Sequence, residues 1–138
     1  MIDILLATYN GERYLPELLS SLEQQTYTDW KLIVIDDCSK DKTTDILRSF
    51  QKASKHSVEI SVNSKPVGCG KENFFALARK STGDYIAFCD QDDVWLPNKL
   101  ETCMQAMRNA EKESTSLPIL VYSDLKVVDI DLNLISPS

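Results

Sequence analysis

Short apolar runs of strand length alternate along this chain with segments whose apolar residues recur at helical spacing, and that alternation limits the fold more than any other feature. Ile2–Ala7 and Leu32–Ile35 are apolar runs bounded by polar turns, as expected of buried strands. Between them Tyr14, Leu15, Leu18, Leu19 and Leu22 share one helical face, and Pro16 suits a first turn. Ser39 or Asp41 can cap a second helix whose buried face is Ile46, Leu47, Phe50 and Ala53. Val58, Ile60 and Val62 alternate with polar residues, the pattern of a strand nearer an edge. A loop with Pro66, Gly68 and Gly70 leads to a short helix presenting Phe74, Leu77 and Ala78, ended by Gly83. Tyr85–Cys89 reads as a fourth buried strand. Pro97 opens a helix with Leu96, Leu100, Cys103, Met104 and Met107 inside, and Glu111–Ser116 is a polar link. Ile119–Tyr122 reads as another strand, with Leu125–Ile130 a candidate for one more.

Strands alternating with helices predict an α/β fold: a mostly parallel central sheet with helices on both faces, a three-layer sandwich. Such sheets bind ligands outside the carboxyl ends of their strands. Thr8–Glu12, Asp36–Asp41 and Asp90–Asp93 each follow a strand directly, so they converge on one rim.

The last of these segments carries the most chemistry. Asp90, Asp92 and Asp93 crowd the end of a strand expected to be buried, and like charges about 4 Å apart repel by roughly 4 kcal/mol at an effective dielectric near 20. A divalent cation turns that repulsion into ligation, and oxygen-only ligands favour Mg²⁺, Mn²⁺ or Ca²⁺. Helix capping ahead of Pro97 needs one carboxylate, not three. On an extended strand Asp90 and Asp92 lie about 6.6 Å apart, too far to share one small ion without a turn. Labour is therefore divided: one or two carboxylates grip a metal, and another accepts a bond from a ribose hydroxyl or a water. The metal would bridge phosphate oxygens and stabilise a departing diphosphate. Of Asp36 and Asp37, one can serve a turn or cap and the other can accept the ring N–H of a pyrimidine. Thr8 and Asn10 can offer a hydroxyl and an amide to the same base or ribose. Gly68-x-Gly70-Lys71 can wrap phosphate with backbone N–H groups, aided by Lys71. It is not a Walker A loop, because position 65 is Lys and position 72 is Glu, and no G-x-G-x-x-G follows the first strand. His56 stands in a polar linker and is expected to be exposed; Trp30 and Trp95 are expected to pack.

A chain of 138 residues fits one domain. Its net charge of -6, with Lys+Arg 15 against Asp+Glu 21 and no basic run, argues against a nucleic-acid partner. The cysteines at 38, 69, 89 and 103 form no C-x-x-C pair and read as reduced thiols. The N-terminus lacks the basic region and cleavage site of a signal peptide, and no apolar stretch approaches the ~20 residues of a membrane span. The expectation is a soluble, cytoplasmic protein.

Together Ala7-Thr8-Tyr9-Asn10-Gly11-Glu12, the stretch Gln24 to Ser39 and the stretch Gly83 to Asp93, continued by Val94-Trp95-Leu96-Pro97-Asn98-Lys99-Leu100, resemble family 2 glycosyltransferases of the GT-A fold. The Asp-Gln-Asp-Asp-x-Trp form is similar to the branch holding bacterial rhamnosyltransferases and other polysaccharide-building enzymes. The resemblance implies metal-dependent, inverting transfer of a sugar from a UDP- or dTDP-linked donor to a saccharide or lipid-linked saccharide acceptor, in bacterial surface polysaccharide synthesis. It implies that Ala7, Thr8, Tyr9, Asn10, Glu12 and Asp37 hold the nucleotide, joined by Lys71 and Asn73 near the donor. Asp90-x-Asp92 would be the family's D-x-D, with Asp90 and Asp92 on the donor and Asp92 and Asp93 on Mn²⁺ or Mg²⁺. The general base of such an enzyme lies later in sequence, so residues 1–138 are expected to be the donor-binding part, with the base beyond Ser138. Asp124 and Asp129 are available carboxylates that nothing places as the base. A nucleotide-sugar-binding module without catalysis of its own is the alternative. A response-regulator-like phosphotransfer domain fits less well, because the first strand ends in Ala7-Thr8 where that chemistry wants acids. A peripheral position at the inner face of the membrane suits a lipid-linked acceptor.

Overall fold

The computed structural model describes residues 1–113 and 117–137. The chain divides into two compact units, Met1–Asn98 and Lys99–Ser138. In the first unit the elements run β1 (Ile2–Thr8), α1 (Leu15–Glu23), β2 (Trp30–Asp36), α2 (Thr43–Ala53), β3 (Val58–Val62), α3 (Gly70–Lys80) and β4 (Tyr85–Cys89). The strands form one sheet in the order β3-β2-β1-β4, with every pair parallel.

This order follows from the connections. β1 to β2 and β2 to β3 step the same way along the sheet, so right-handed crossovers place α1 and α2 on one face. The step from β3 to β4 runs back past β1, which sends α3 to the other face. There Leu77 is buried with Leu5, Ile33 and Ile35, and Phe74, Ala76 and Ala78 pack around them. Opposite, Ile4, Leu6, Leu32 and Val34 are fully buried, as are Leu15, Leu18 and Leu22 of α1 and Leu47 of α2. Each such side chain contributes about 1.5–3 kcal/mol of burial. The reversal of direction leaves a crevice between the carboxyl ends of β1 and β4, the place where parallel sheets take ligands.

At the opposite end of the sheet a fully buried carboxylate ties the layers together. Asp3 Oδ2 accepts the Ser81 hydroxyl at 2.7 Å and the Thr82 and Gly83 N–H groups at 2.9 and 2.8 Å. Lys31 Nζ lies 3.6 Å away. Burial pushes the Asp3 carboxyl up, but these bonds and the Lys31 charge outweigh it and hold it below its ordinary value.

Several expectations need correction. β4 is not buried on both faces: it is an edge strand, with Ile86 45% and Phe88 54% exposed. Its α3-facing side is only partly covered, because α3 packs mainly over β1 and β2 and reaches β4 through Phe74, whose ring meets Phe88 edge-on with centroids 5.5 Å apart. Ala53 is exposed at the end of α2, and Leu96 is 63% exposed ahead of the next helix. The residue buried there is Trp95, held where its backbone N–H meets Ser21 Oγ at 3.0 Å. His56 is half-buried rather than exposed, because its ring stacks on Trp30 with centroids 3.7 Å apart.

In the second unit α4 (Lys99–Glu113) buries Leu100 and Met104. Positions 114–116 of the expected polar link lie outside the described residues. Ile119–Tyr122 forms no strand, and Leu120 and Tyr122 are 79% and 88% exposed. A strand needs a partner for its backbone groups. The pairing here goes instead to β5 (Lys126–Val128) and β6 (Leu134–Pro137), which are antiparallel. Asp129 nucleates their turn, its Oδ1 accepting the N–H groups of Asp131 and Asn133, both at 2.9 Å. Leu125–Ile130 is thus a strand only in its middle. Cys38, Cys69, Cys89 and Cys103 form no disulfide. Among the described residues no helix is long and apolar enough to cross a membrane.

Candidate functional site

The crevice at the ends of β1 and β4 is a cleft of about 470 Å³, a volume suited to a small organic ligand. Ala7, Thr8 and Tyr9 at the end of β1, Asp37 after β2, Asn73 and Phe74 on α3, and Asp90, Gln91 and Asp92 after β4 line it. Pro66, Gly68, Cys69 and Gly70 close one side. Three strand ends and one helix N-terminus therefore meet, as the positions of the polar loops predicted.

Asp36 and Asp37 divide their work. Asp36 is fully buried and faces inward. Its Oδ1 accepts the Thr8 and Ser39 hydroxyls at 2.9 and 2.5 Å, and its Oδ2 accepts the Ser39 N–H at 2.9 Å. It fastens the β1 and β2 loops to each other. Asp37 faces the cleft. Its Oδ1 accepts the Val67 N–H at 2.8 Å and the Asn63 amide at 2.7 Å, and its Oδ2 accepts the Gly68 N–H at 2.7 Å. The Val67 N–H first, then Asn63 and Gly68, hold the Asp37 carboxyl below its ordinary value against the opposing pull of burial. A carboxylate offers about four acceptor sites. The Asn73 side chain also bonds to this carboxylate.

The geometry demands unusual backbone nearby. Asn10 and Cys38 both adopt positive φ, 46° and 63°. Asn tolerates this region; a cysteine there is rarer, and such strain concentrates at functional loops. Cys38 is held by its thiol donating to the Asn63 carbonyl at 3.0 Å. Asn63 also bridges to α3, its Nδ2 donating to Asn73 Oδ1 at 2.9 Å.

Not every expected donor contact faces the cleft. Asn10 Oδ1 accepts the Lys40 N–H at 2.8 Å and Glu12 Oε2 accepts the Lys42 N–H at 2.7 Å, so both side chains brace the loop after β2. Lys71 is exposed with its ammonium 5.6 Å from the centre of the Phe75 ring, outside the cleft lining. Asp93 is exposed and also outside the lining. Asp41, not Ser39, meets the start of α2, its Oδ1 accepting the Thr43 N–H at 3.0 Å.

The expected crowding of three carboxylates is not present. Among the described residues no three His, Cys, Asp or Glu side chains are gathered to hold a metal. Asp90 and Asp92 nonetheless bring oxygen-only donors to the cleft. That set fits a hard cation such as Mg²⁺ or Mn²⁺, which keeps waters and takes ligand phosphate oxygens rather than needing an all-protein cage. Asn63, Gln91 and Phe74 were missed as site residues. Gln91 alone carried a signal, since it stands inside the acidic run.

The sequence profile described as Glycosyl transferase family 2 matches residues 3–129. The chain belongs to this family. It is 34% identical over 109 residues to the putative teichuronic acid biosynthesis glycosyltransferase TuaG of Bacillus subtilis (strain 168), covering 78% of this chain and 42% of TuaG. It is 32% identical over 120 residues to the dTDP-rhamnosyl transferase RfbG of Shigella flexneri, covering 85% of this chain and 42% of RfbG. The structure of S. aureus TarS 1-349 in complex with UDP superposes with a TM-score of 0.73 at 25% identity, over 78% of this chain and 32% of that fragment. The chain thus spans less than half the length of these family 2 relatives. The matched sheet with helices on both faces is the GT-A glycosyltransferase fold.

Proposed function

We propose that residues 1–138 are the nucleotide-sugar-binding part of an inverting, metal-dependent glycosyltransferase of bacterial surface polysaccharide synthesis. The donor is a UDP- or dTDP-linked sugar, and the acceptor is a hydroxyl of a saccharide or lipid-linked saccharide. One observation carries the reading: the β1 end, Asp37 and the Asp90–Asp92 carboxylates share a single cleft of ligand size. TuaG and RfbG, by name a teichuronic acid enzyme and a dTDP-rhamnosyl transferase, and TarS with its bound UDP point the same way.

The residues act as follows. Ala7, Thr8 and Tyr9 flank the base, and the Asp37 carboxylate accepts its ring N–H. Thr8 keeps its hydroxyl hydrogen on Asp36, so toward a ligand it acts as an acceptor. Asn10 and Glu12 hold the loop in shape rather than touching the donor. Asn73 and the N-terminus of α3 face the diphosphate, and Lys71 adds charge from outside. Asp90 accepts a ribose hydroxyl. Asp92, with Asp90 beside it in the cleft lining, would hold Mn²⁺ or Mg²⁺, whose chemistry is to draw off the charge of the departing diphosphate; Asp93 lies outside that lining. The acceptor oxygen bonds to the anomeric carbon from the face opposite the diphosphate as the carbon–phosphate-oxygen bond breaks, which inverts the configuration. The proton goes to a base that we place beyond Ser138. We place the reaction in the cytoplasm, at the inner face of the membrane when the acceptor is lipid-linked.

Calorimetry with UDP, dTDP, GDP and ADP, with and without Mn²⁺, tests this. Pyrimidine nucleotides should bind more tightly, and Mn²⁺ should strengthen them. Asp92→Asn should remove at least about tenfold of that gain, given ~1.5–3 kcal/mol for a bond to a charged group. Equal binding of all four nucleotides with no metal effect would overturn the reading.

A further inference from the structure

β1 is paired on both sides for most of its length, but not at its end. Toward β2 the parallel register reaches Thr8 opposite Asp36, and the Asp37 N–H then bonds to the Thr8 carbonyl at 2.8 Å. Toward β4 it stops at Leu6 opposite Cys89. Beyond that point β4 turns away at Asp90–Asp93, where the Asp93 N–H reaches the Asp90 carbonyl at 3.3 Å. Tyr9 would be left with a bare edge just where it enters the cleft.

One side chain fills the gap. Gln91 Oε1 accepts the Tyr9 N–H at 2.9 Å, and Gln91 Nε2 donates to the Tyr9 carbonyl at 3.1 Å. The two bonds fix the amide's orientation, because only this arrangement sets each donor against an acceptor. The primary amide thus stands in for the peptide group of the missing strand. Gly11 fits this arrangement: a Cβ there would lie 2.5 Å from Gln91 Oε1 and 3.0 Å from its carboxamide carbon.

We infer that Gln91 is a positioning residue that locks the nucleoside loop at Tyr9 to the acidic turn at Asp90–Asp93, so that the two halves of the donor subsite are set as one unit. This rests on the donor reading above. No other residue type supplies the pair with the same reach. Asp and Glu lack the donor, Asn is one methylene short, and Met keeps the length without either bond.

The test uses Gln91→Met, Gly11→Ala and the double variant in the whole protein, with two readouts. Hydrogen exchange reads the clamp without ligand. Two net hydrogen bonds of about 1 kcal/mol each predict that the Tyr9 amide exchanges at least ~10-fold faster in either single variant. Gly11→Ala should add less than about 2-fold to Gln91→Met, since the methyl clashes only with the Gln91 amide. Binding of UDP reads the coupling. The gain in affinity from Mn²⁺ should shrink about 5- to 20-fold in both single variants, on top of any fall in the metal-free affinity. A merely structural role would lower both affinities together. Unchanged Tyr9 exchange, additive variants, or a full Mn²⁺ gain in Gln91→Met would each overturn the inference while leaving the donor reading intact. Absence of UDP and dTDP binding by the unaltered protein would overturn the donor reading and this one with it.

Discussion

Asp37 carries both a structural and a ligand role, and replacing it with asparagine separates the two. In the native protein its two oxygens receive three donors, from Val67, Asn63 and Gly68, at 2.8, 2.7 and 2.7 Å. An amide keeps only one oxygen. Placed to serve Val67 and Asn63, it turns its own NH₂ toward the Gly68 N–H, donor against donor. One charge-assisted bond worth about 1.5–3 kcal/mol is lost, and the other two become neutral bonds, each weaker by roughly 0.5–1 kcal/mol. Gly68 is exposed, so water recovers part of the loss. The net expectation is a destabilisation of about 2–4 kcal/mol.

Urea unfolding at pH 7 reads this as a lower midpoint at unchanged slope. The pH dependence supplies the sign. The Asp37 carboxyl lies below its ordinary value in the folded state, so its stabilisation is present above the unfolded value and is lost as pH falls through the folded one. The native protein should therefore lose stability on acidification more steeply than Asp37→Asn, and the gap between them should narrow toward acid. If Asp37 is also the acceptor for the base, Asp37→Asn should still weaken UDP binding at temperatures where it remains folded. A variant as stable as the native protein at neutral pH, with a parallel acid profile, would refute the reasoning from three donors on one carboxylate.

Three further outcomes follow. Gly83→Ala sets a methyl 2.5 Å from Asp3 Oδ1 and 3.2 Å from the Asp3 backbone nitrogen. Thermal melting should show a loss of about 1–3 kcal/mol, as for other overpacked sites. Thr43→Val removes the hydroxyl that accepts the buried Gly11 N–H at 2.7 Å. It should cost ~1–3 kcal/mol in urea unfolding, the penalty for an unsatisfied buried donor. Leu77→Ala opens the centre of the α3 face, where Leu77 meets Leu5, Ile33 and Ile35. It should cost about 2–5 kcal/mol by the same measurement.

The sheet was legible because burial writes itself into composition. β1 and β2 are apolar on both sides, and the alternation at Val58, Ile60 and Val62 marked the β3 edge. β4 defeats that logic. Tyr85-Ile86-Ala87-Phe88-Cys89 is as apolar as a central strand, yet one side is only partly covered, since a sequence records apolar character and not which neighbour covers it. Ile119–Tyr122 misled for the same reason. Its composition suits a strand, but strands exist only in pairs, and the Asp129 turn gives the pairing to Lys126–Val128 instead.

The site divides along another line. Its location was legible, because a polar loop that follows a buried strand must emerge at the carboxyl rim, and the reversal of strand order then selects β1 and β4. The tasks of single residues were not. Thr8, Asn10, Glu12 and Asp36 have the polarity of ligand contacts, yet they spend it on Asp36, Lys40, Lys42 and Ser39, holding one loop against the next. A buried or half-buried loop must satisfy its own backbone before it can serve a ligand. Residues separated by about thirty positions or more do that here: Gly11 with Thr43, Asp37 with Val67 and Gly68, Tyr9 with Gln91. Such pairings depend on distances across the rim, which no local pattern encodes. The acidic run drew attention to its charges, while the uncharged residue within it, Gln91, makes the bonds that connect that run to the rest of the cleft.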